Sequence, residues 1–282
     1  GRSRGLFWLA LPLIFHFSLS NHRVPEFGNV YNQELARNGP YAFFAAFWEN
    51  SLDYARFYPT LPAADAFRLT RASLGVAAPA PDTTNECDIT RTIHAARPEK
   101  HWNVIQITVE SLSASFLGRF GDTNGLTPYL DKVFDQSVVF TNLYATGNRT
   151  VRGMEALTLC VPPTPGQSIV RRPHNDNLFS VGALFRSRGY DTAFIYSGYG
   201  YFDNMNAFFA GNGYRVVDRT SVAKTDINYA TVWGACDEDL LRWTLREADT
   251  AFAAGKPFHH FVMTTSNHRP FGFPANKVAL PT

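Results

Sequence analysis

Residues 137–159 read SVVFTNLYATGNRTVRGMEALTL. An apolar, β-branched run (137–144) leads into TGNRTVRG (146–153), and a run with helical spacing follows. The stretch therefore predicts a strand, a loop and the first turns of a helix. Thr150 falls at the helix start, with Arg149 before it and Arg152 after it. As a residue type it is a good N-cap. It is also a hydroxyl nucleophile at a point where helix N-terminal amides and guanidiniums both favour phosphate.

The alternation continues on both sides. NVIQITV (103–109) is a short β-branched run of the kind buried in a central parallel strand. LTPYLDKVFD (126–135) predicts a helix with Thr127 as N-cap and Pro128 in its first position. NLFSVGALFRSRG (177–189) predicts an amphipathic helix closed by glycine, and DTAFIY (191–196) a strand. CDEDLLRWTLREADTAFAAG (236–255) is the longest helix, with Asp237, Glu238 and Asp239 read as a solvated or dipole-matched first turn. FHHFVMTT (258–265) is another buried strand. Strands alternating with helices predict an α/β fold on a parallel sheet.

Upstream the character differs. GLFWLALPLIFHFSLS (5–20) is apolar but shorter than the ~20 residues that cross a bilayer, so residues 1–20 read as the end of a transmembrane or membrane-interface segment. Residues 21–76 read as a membrane-proximal helical region rich in aromatics, and 77–101 as a linker. The domain that carries chemistry spans 102–282.

The balance of 26 Lys+Arg against 24 Asp+Glu leaves +2, which argues against a nucleic-acid partner. Three cysteines without a C-x-x-C pair exclude a thiolate zinc site, and buried free thiols are expected. There is no phosphate-binding G-x-x-x-x-G-K-[ST] loop and no G-x-S-x-G elbow.

In parallel α/β sheets ligands bind beyond the carboxyl ends of the strands. The residues that follow the predicted strands are Glu110, then Arg149-Thr150-Val151-Arg152, then the 197–204 loop with Phe202, Asp203 and Asn204, then His268. A carboxylate, a hydroxyl, cations and an imidazole on one rim suit phosphoryl or sulfuryl transfer to a hydroxyl, assisted by a divalent metal. Each also has a plain structural role open to it: a surface acid for Glu110, a hydrogen-bonded histidine for His268, a helix cap for Asp203 and Asn204.

Taken together, VIQITVES (104–111), GNRTVRGMEALTL (147–159), PPTPGQSIVRRPHN (162–175), YSGYGYFDNMNAFF (196–209) and MTTSNHRPF (263–271) resemble the lipoteichoic acid synthase-like phosphoglycerol transferases. These are membrane-anchored members of the sulfatase and alkaline phosphatase superfamily. The resemblance implies an incomplete sulfatase-like αβα sandwich preceded by a membrane-proximal helical segment. It implies Thr150 as nucleophile and metal ligand, Glu110 as metal ligand, and Arg149, His268, Phe202 and Asn204 as substrate-binding residues. One divalent ion is implied, manganese first, with magnesium and zinc as alternatives. The implied reaction takes glycerol phosphate from a phosphatidylglycerol-like membrane lipid to an envelope glycan or polymer. The implied location is the bacterial inner membrane, with the catalytic domain on the periplasmic or extracellular side.

Two departures stand out. Phe202 and Asn204 occupy places where the family usually has Trp and Arg. The Asp-His pair that completes the family's metal site is absent, since no Asp-His dipeptide occurs in the 282 residues. The sequence is accordingly expected to be a fragment of a longer protein, inactive alone. Other readings remain open: a superfamily phosphodiesterase; a sulfatase using Cys160, whose C-x-P context lacks the following Arg; and a non-catalytic membrane-associated binding protein.

Overall fold

The structure, a computed structural model, describes residues 32, 35–48, 59–76 and 87–277. The expected membrane segment (1–20), nearly all of 21–34, the whole of 49–58 and the first part of the linker (77–86) lie outside the described residues. Two compact units divide between Tyr58 and Pro59. In the first, helix α1 (Gly39–Trp48) starts on Asn38, whose side-chain oxygen accepts from the Tyr41 amide. Its Phe43, Phe44 and Phe47 are exposed. Among the described residues no helix is long and apolar enough to cross a membrane.

The second unit opens with α2 (Ala63–Leu74), which buries no residue and ends at Gly75 in the left-handed conformation. Its remainder is built on four parallel strands in the order β1-β4-β2-β3: β1 (Val104–Thr108), β2 (Asp191–Tyr196), β3 (Arg215–Val217) and β4 (Phe258–Met263). Register follows the sequence closely, with Thr108 opposite Met263 and Tyr196 opposite the same residue on the other side. The strand carboxyl ends are therefore level, and the loops leaving them share one rim.

Side-chain alternation assigns the two faces. Phe194, Tyr196, Phe261 and Met263 pack on one side with Met154 of α4 (Thr150–Leu159) and Phe208 and Phe209 of α6 (Met205–Gly211). Ala193, Ile195 and Val262 pack on the other with Leu240 and Trp243 of α7 (Asp237–Ala253). The two remaining helices are α3 (Pro128–Phe134) and α5 (Val181–Ser187). Helices thus cover both faces, the three-layer arrangement a parallel sheet needs to bury its apolar strands.

Some expectations need correction. The run 137–144 is not a strand: it passes through turns, with Val138, Phe140, Leu143 and Tyr144 all at least 71% exposed. Its β-branched pattern finds no strand partner among the described residues, and a strand is stable only with paired neighbours. Arg149, not Thr150, is the N-cap of α4, and no side chain caps that end. Of the three acids opening α7, Asp239 is fully buried rather than solvated and accepts from Asn228 and Tyr229. Cys236 is buried as expected, whereas Cys87 and Cys160 are exposed. The short strand β3 had no readable signal.

Candidate active site

Three loops at the carboxyl rim converge on Thr150. Glu110 follows β1 directly, and both its backbone groups are tied down: its amide donates to Thr264 Oγ1 at 2.9 Å, and its carbonyl accepts from Asn267 Nδ2 at 3.0 Å. Ser111 Oγ donates to Glu110 Oε1 at 2.8 Å. The other carboxylate oxygen, Oε2, accepts from Thr150 Oγ1 at 2.9 Å, across 40 residues of sequence. As the first residue of α4, Thr150 lies at the positive end of the helix.

α4 is itself anchored by buried charge. Glu155, fully buried, accepts from Arg152 Nη1 at 2.9 Å, from Ser168 Oγ at 2.8 Å and from the Ile169 amide at 2.5 Å. Arg152 also donates to the carbonyls of Thr164 and Gly166. Every strong partner of Arg152 is therefore structural, and it holds the 164–169 loop against the helix that carries Thr150. Arg149, in contrast, is exposed and makes no ion pair among the described residues.

A small pocket opens beside the Thr150–Glu110 pair. Its polar lining is Glu110, Thr150, Asp203, Thr264, Thr265 and His268; its apolar lining is Tyr196, Phe202, Met205, Trp233 and Met263. Of the six residues singled out from sequence, Glu110, Thr150, Phe202 and His268 are thus brought together. Arg149 and Asn204 are not among the lining residues. Asn204 Nδ2 donates to the Val170 carbonyl at 3.0 Å, and the residue adopts a left-handed conformation with φ 61° next to Asp203 at φ 52°.

His268 is fixed by its surroundings. Its ring lies on the Trp233 indole with centroids 3.8 Å apart, and Trp233 Nε1 donates to the Arg269 carbonyl at 2.8 Å. His268 Nδ1 lies 2.7 Å from the same carbonyl. A carbonyl only accepts, so Nδ1 carries the proton, and in the neutral ring Nε2 holds the lone pair. The loop itself is clasped to α7: Asp237 Oδ1 accepts from the amides of Thr265 and Ser266, and Ser266 Oγ accepts from the Asp237 amide.

Tyr196 ends β2 and forms part of the pocket wall. Burial, and then the nearby Glu110 and Asp203 carboxylates, push its phenol up to about 12, so it stays protonated at neutral pH. The ring lies where a side chain at residue 198 would be: a Cβ on Gly198 would sit 2.5 Å from the Tyr196 ring and 2.5 Å from the Trp233 carbonyl. Glycine there lets the 229–236 segment pass close over the end of the strand.

Sequence reasoning missed Tyr196, Trp233 and Asp237. The aromatic density of 196–214 hinted at the first; the other two lie in a segment without periodicity and in a turn read as solvated.

Glu110 Oε2 and Thr150 Oγ1 are hard oxygen donors of the type divalent cations accept. Among the described residues no group of three or more His, Cys, Asp or Glu is placed to hold a metal ion. Cys160 closes α4 at the end opposite Thr150, about 15 Å away at the helical rise, and lies outside the pocket.

A protein of the alkaline phosphatase superfamily from Vibrio parahaemolyticus, known from its crystal structure, is 34% identical to this chain. The match covers 79% of this chain and 54% of that one, with a TM-score of 0.72, so the chain spans about half the length of that relative. The lipoteichoic acid synthase LtaP from Listeria monocytogenes superposes with a TM-score of 0.57 at 19% identity, covering 65% of this chain and 45% of LtaP; that likeness is one of fold. With the level parallel strands, the hydroxyl at the helix start and the carboxylate beside it already in view, the match of the Sulfatase family profile to residues 102–279 closes the case: the chain belongs to the sulfatase family.

Proposed function

We propose that this protein is a phosphoglycerol transferase in which Thr150 is the nucleophile. The observation that carries the reading is the 2.9 Å hydrogen bond from Thr150 Oγ1 to Glu110 Oε2 at the carboxyl rim of the sheet. A hydroxyl presented at a helix start, with its proton already directed at a carboxylate, is arranged to attack phosphorus. The donor is a phosphatidylglycerol-like membrane phospholipid. The Thr150 proton passes along the existing hydrogen bond to Glu110 as the bond from Oγ1 to phosphorus forms. The bond from phosphorus to the diacylglycerol oxygen breaks, and that oxygen takes a proton from water. An acceptor hydroxyl on an envelope glycan or polymer then attacks the phosphorus and gives its proton to the hydroxide left by that water, while the bond from phosphorus to Oγ1 breaks and Thr150 takes back the proton held by Glu110. Arg149 would meet the phosphate; His268 and Phe202 would bind the head group, with Asn204, bonded to the Val170 carbonyl, serving them by holding the loop that carries Phe202.

Members of the sulfatase and alkaline phosphatase superfamily usually use a divalent metal ion. Glu110 and Thr150 are the residues of this chain that would hold one, and we infer manganese. Such an ion lowers the hydroxyl pKa and offsets phosphate charge. From the same reading we infer a location at the bacterial inner membrane, with the catalytic domain facing the periplasm or cell exterior.

The test uses the full-length gene product with phosphatidylglycerol. Quenching during turnover should leave a glycerol-phosphate adduct on Thr150, found by peptide mass spectrometry. Thr150→Ala should abolish the adduct and lower turnover at least about 10³-fold. An adduct on another residue, or turnover that survives Thr150→Ala, would refute the assignment. Running the reaction with and without a glycan acceptor separates transfer from hydrolysis.

A further inference from the structure

Tyr196 is 4% exposed, and its hydroxyl has no hydrogen-bond partner among the described residues although it borders the pocket. A buried phenol normally finds a partner. Tyr196 lines the pocket with that hydroxyl unspent, so the phenol has a hydrogen bond to offer a molecule bound there. Asp203 lines the same pocket, near enough for its charge to act on the Tyr196 phenol; its side chain is 17% exposed and its backbone is held in the left-handed region beside a second left-handed residue, Asn204. Two successive non-glycine residues in that region are strained and persist only when their surroundings impose them. Asn204 is fastened to the Val170 carbonyl, and Arg171 Nε lies 3.6 Å from Asp203 Oδ1.

We propose that Tyr196 and Asp203 together read a hydroxyl of a polyol phosphate head group, the phenol donating to the hydroxyl oxygen and the carboxylate accepting its proton. The inference rests on the Thr150 reading, which puts the phosphate at the Glu110–Thr150 end. A carboxylate in a phosphate pocket repels the phosphate oxygens, so its use there is to accept from a donor on the ligand. An ammonium head group would also be a donor, but Arg171 already supplies the positive partner for Asp203 and would repel a second cation. A neutral hydroxyl needs both an acceptor and a donor, and this wall offers one of each. Phe202 and Trp233, edge to face with centroids 5.8 Å apart, supply apolar surface for the carbon chain.

Isothermal titration of the full-length gene product with glycerol phosphate, n-propyl phosphate and phosphoethanolamine tests this. Glycerol phosphate should bind about tenfold tighter than propyl phosphate, and Tyr196→Phe and Asp203→Asn should each reduce that preference to about twofold. Retained propyl phosphate binding shows that each variant is folded. A variant that loses propyl phosphate as well assigns its side chain to the phosphate or the fold and overturns its share of the proposal. Propyl and glycerol phosphate binding equally to the unaltered protein overturns the polyol reading while leaving the Thr150 chemistry standing. Preference for phosphoethanolamine replaces the polyol with an amine. Failure to bind any of the three removes both this inference and the phosphoglycerol reading.

Discussion

β4 and the run 137–144 look alike on paper, yet the protein treats them in opposite ways. All six residues of β4 are buried between β1 and β2, whereas Val138 is 87% exposed and Tyr144 80%. β1 lies between these extremes, paired on one side only among the described residues, with Ile105 and Ile107 40% and 48% exposed. Apolar, β-branched sequence makes a strand possible; a neighbour on each edge and a helix on each face make it stable. Burial in this domain is concentrated on β2, β4 and the helices that cover them.

The contrast can be broken most sharply at Phe194. Fully buried, it stacks on Phe209 with centroids 3.6 Å apart and meets Phe261 edge-on. Phe194→Ala should cost about 3–5 kcal/mol by urea unfolding. A loss below 1 kcal/mol would mean that β2 is not the centre of the core.

Acid provides a second probe of the same half. His259 of β4 is 1% exposed, stacks on Phe185 with centroids 4.5 Å apart, and places Nε2 3.2 Å from Gln106 Oε1. Burial, reinforced by His260, lowers it from 6.5 to about 4. Because the folded pKa lies below the unfolded one, the unfolded chain binds the extra proton between these values. Stability should therefore be complete above pH 6.5 and decline as pH falls toward 4, by up to about 3 kcal/mol. His259→Phe keeps the ring stack and should flatten most of that slope; His260, also lowered by burial, leaves a remainder. An unchanged slope in the variant would assign the acid sensitivity to other groups.

Ser180→Ala tests the covering layer. Ser180 is fully buried, its Oγ accepts from the Ala183 amide at 2.9 Å, and it donates to the Asn212 carbonyl at 2.5 Å. Loss of that cap should cost about 1–2 kcal/mol. At the small end, Val138→Thr should stay within about 0.5 kcal/mol. A larger effect would show that the run 137–144 is covered in solution.

Much of this was legible in the sequence. β1, β2, β4 and α7 are apolar or amphipathic runs bounded by turn residues, so period and length sufficed. The strand-end rule then put Glu110 and His268 on one rim, whereas it reached Thr150 through 137–144, which is no strand, so that placement came out right on a wrong premise. β3 escaped because Arg215-Val216-Val217 is too short to show a period, and 137–144 misled because its environment, not its composition, differs from that of β4. Tyr196 read as the last core residue of a strand. Trp233 had no pattern around it. Only the fold shows that the first borders the pocket and the second lies on the His268 ring.

The clasp made by Asp237 has a consequence in time as well as space. The amides of Thr265 and Ser266 spend their hydrogen bonds on a side chain of the long helix, not on their own loop. Their exchange with solvent deuterium should thus follow the slow opening of α7. The His268 amide in turn donates to the Thr265 carbonyl at 3.0 Å, so its proton should exchange on the same slow clock, and the imidazole would keep its place in the pocket for as long as α7 stays closed.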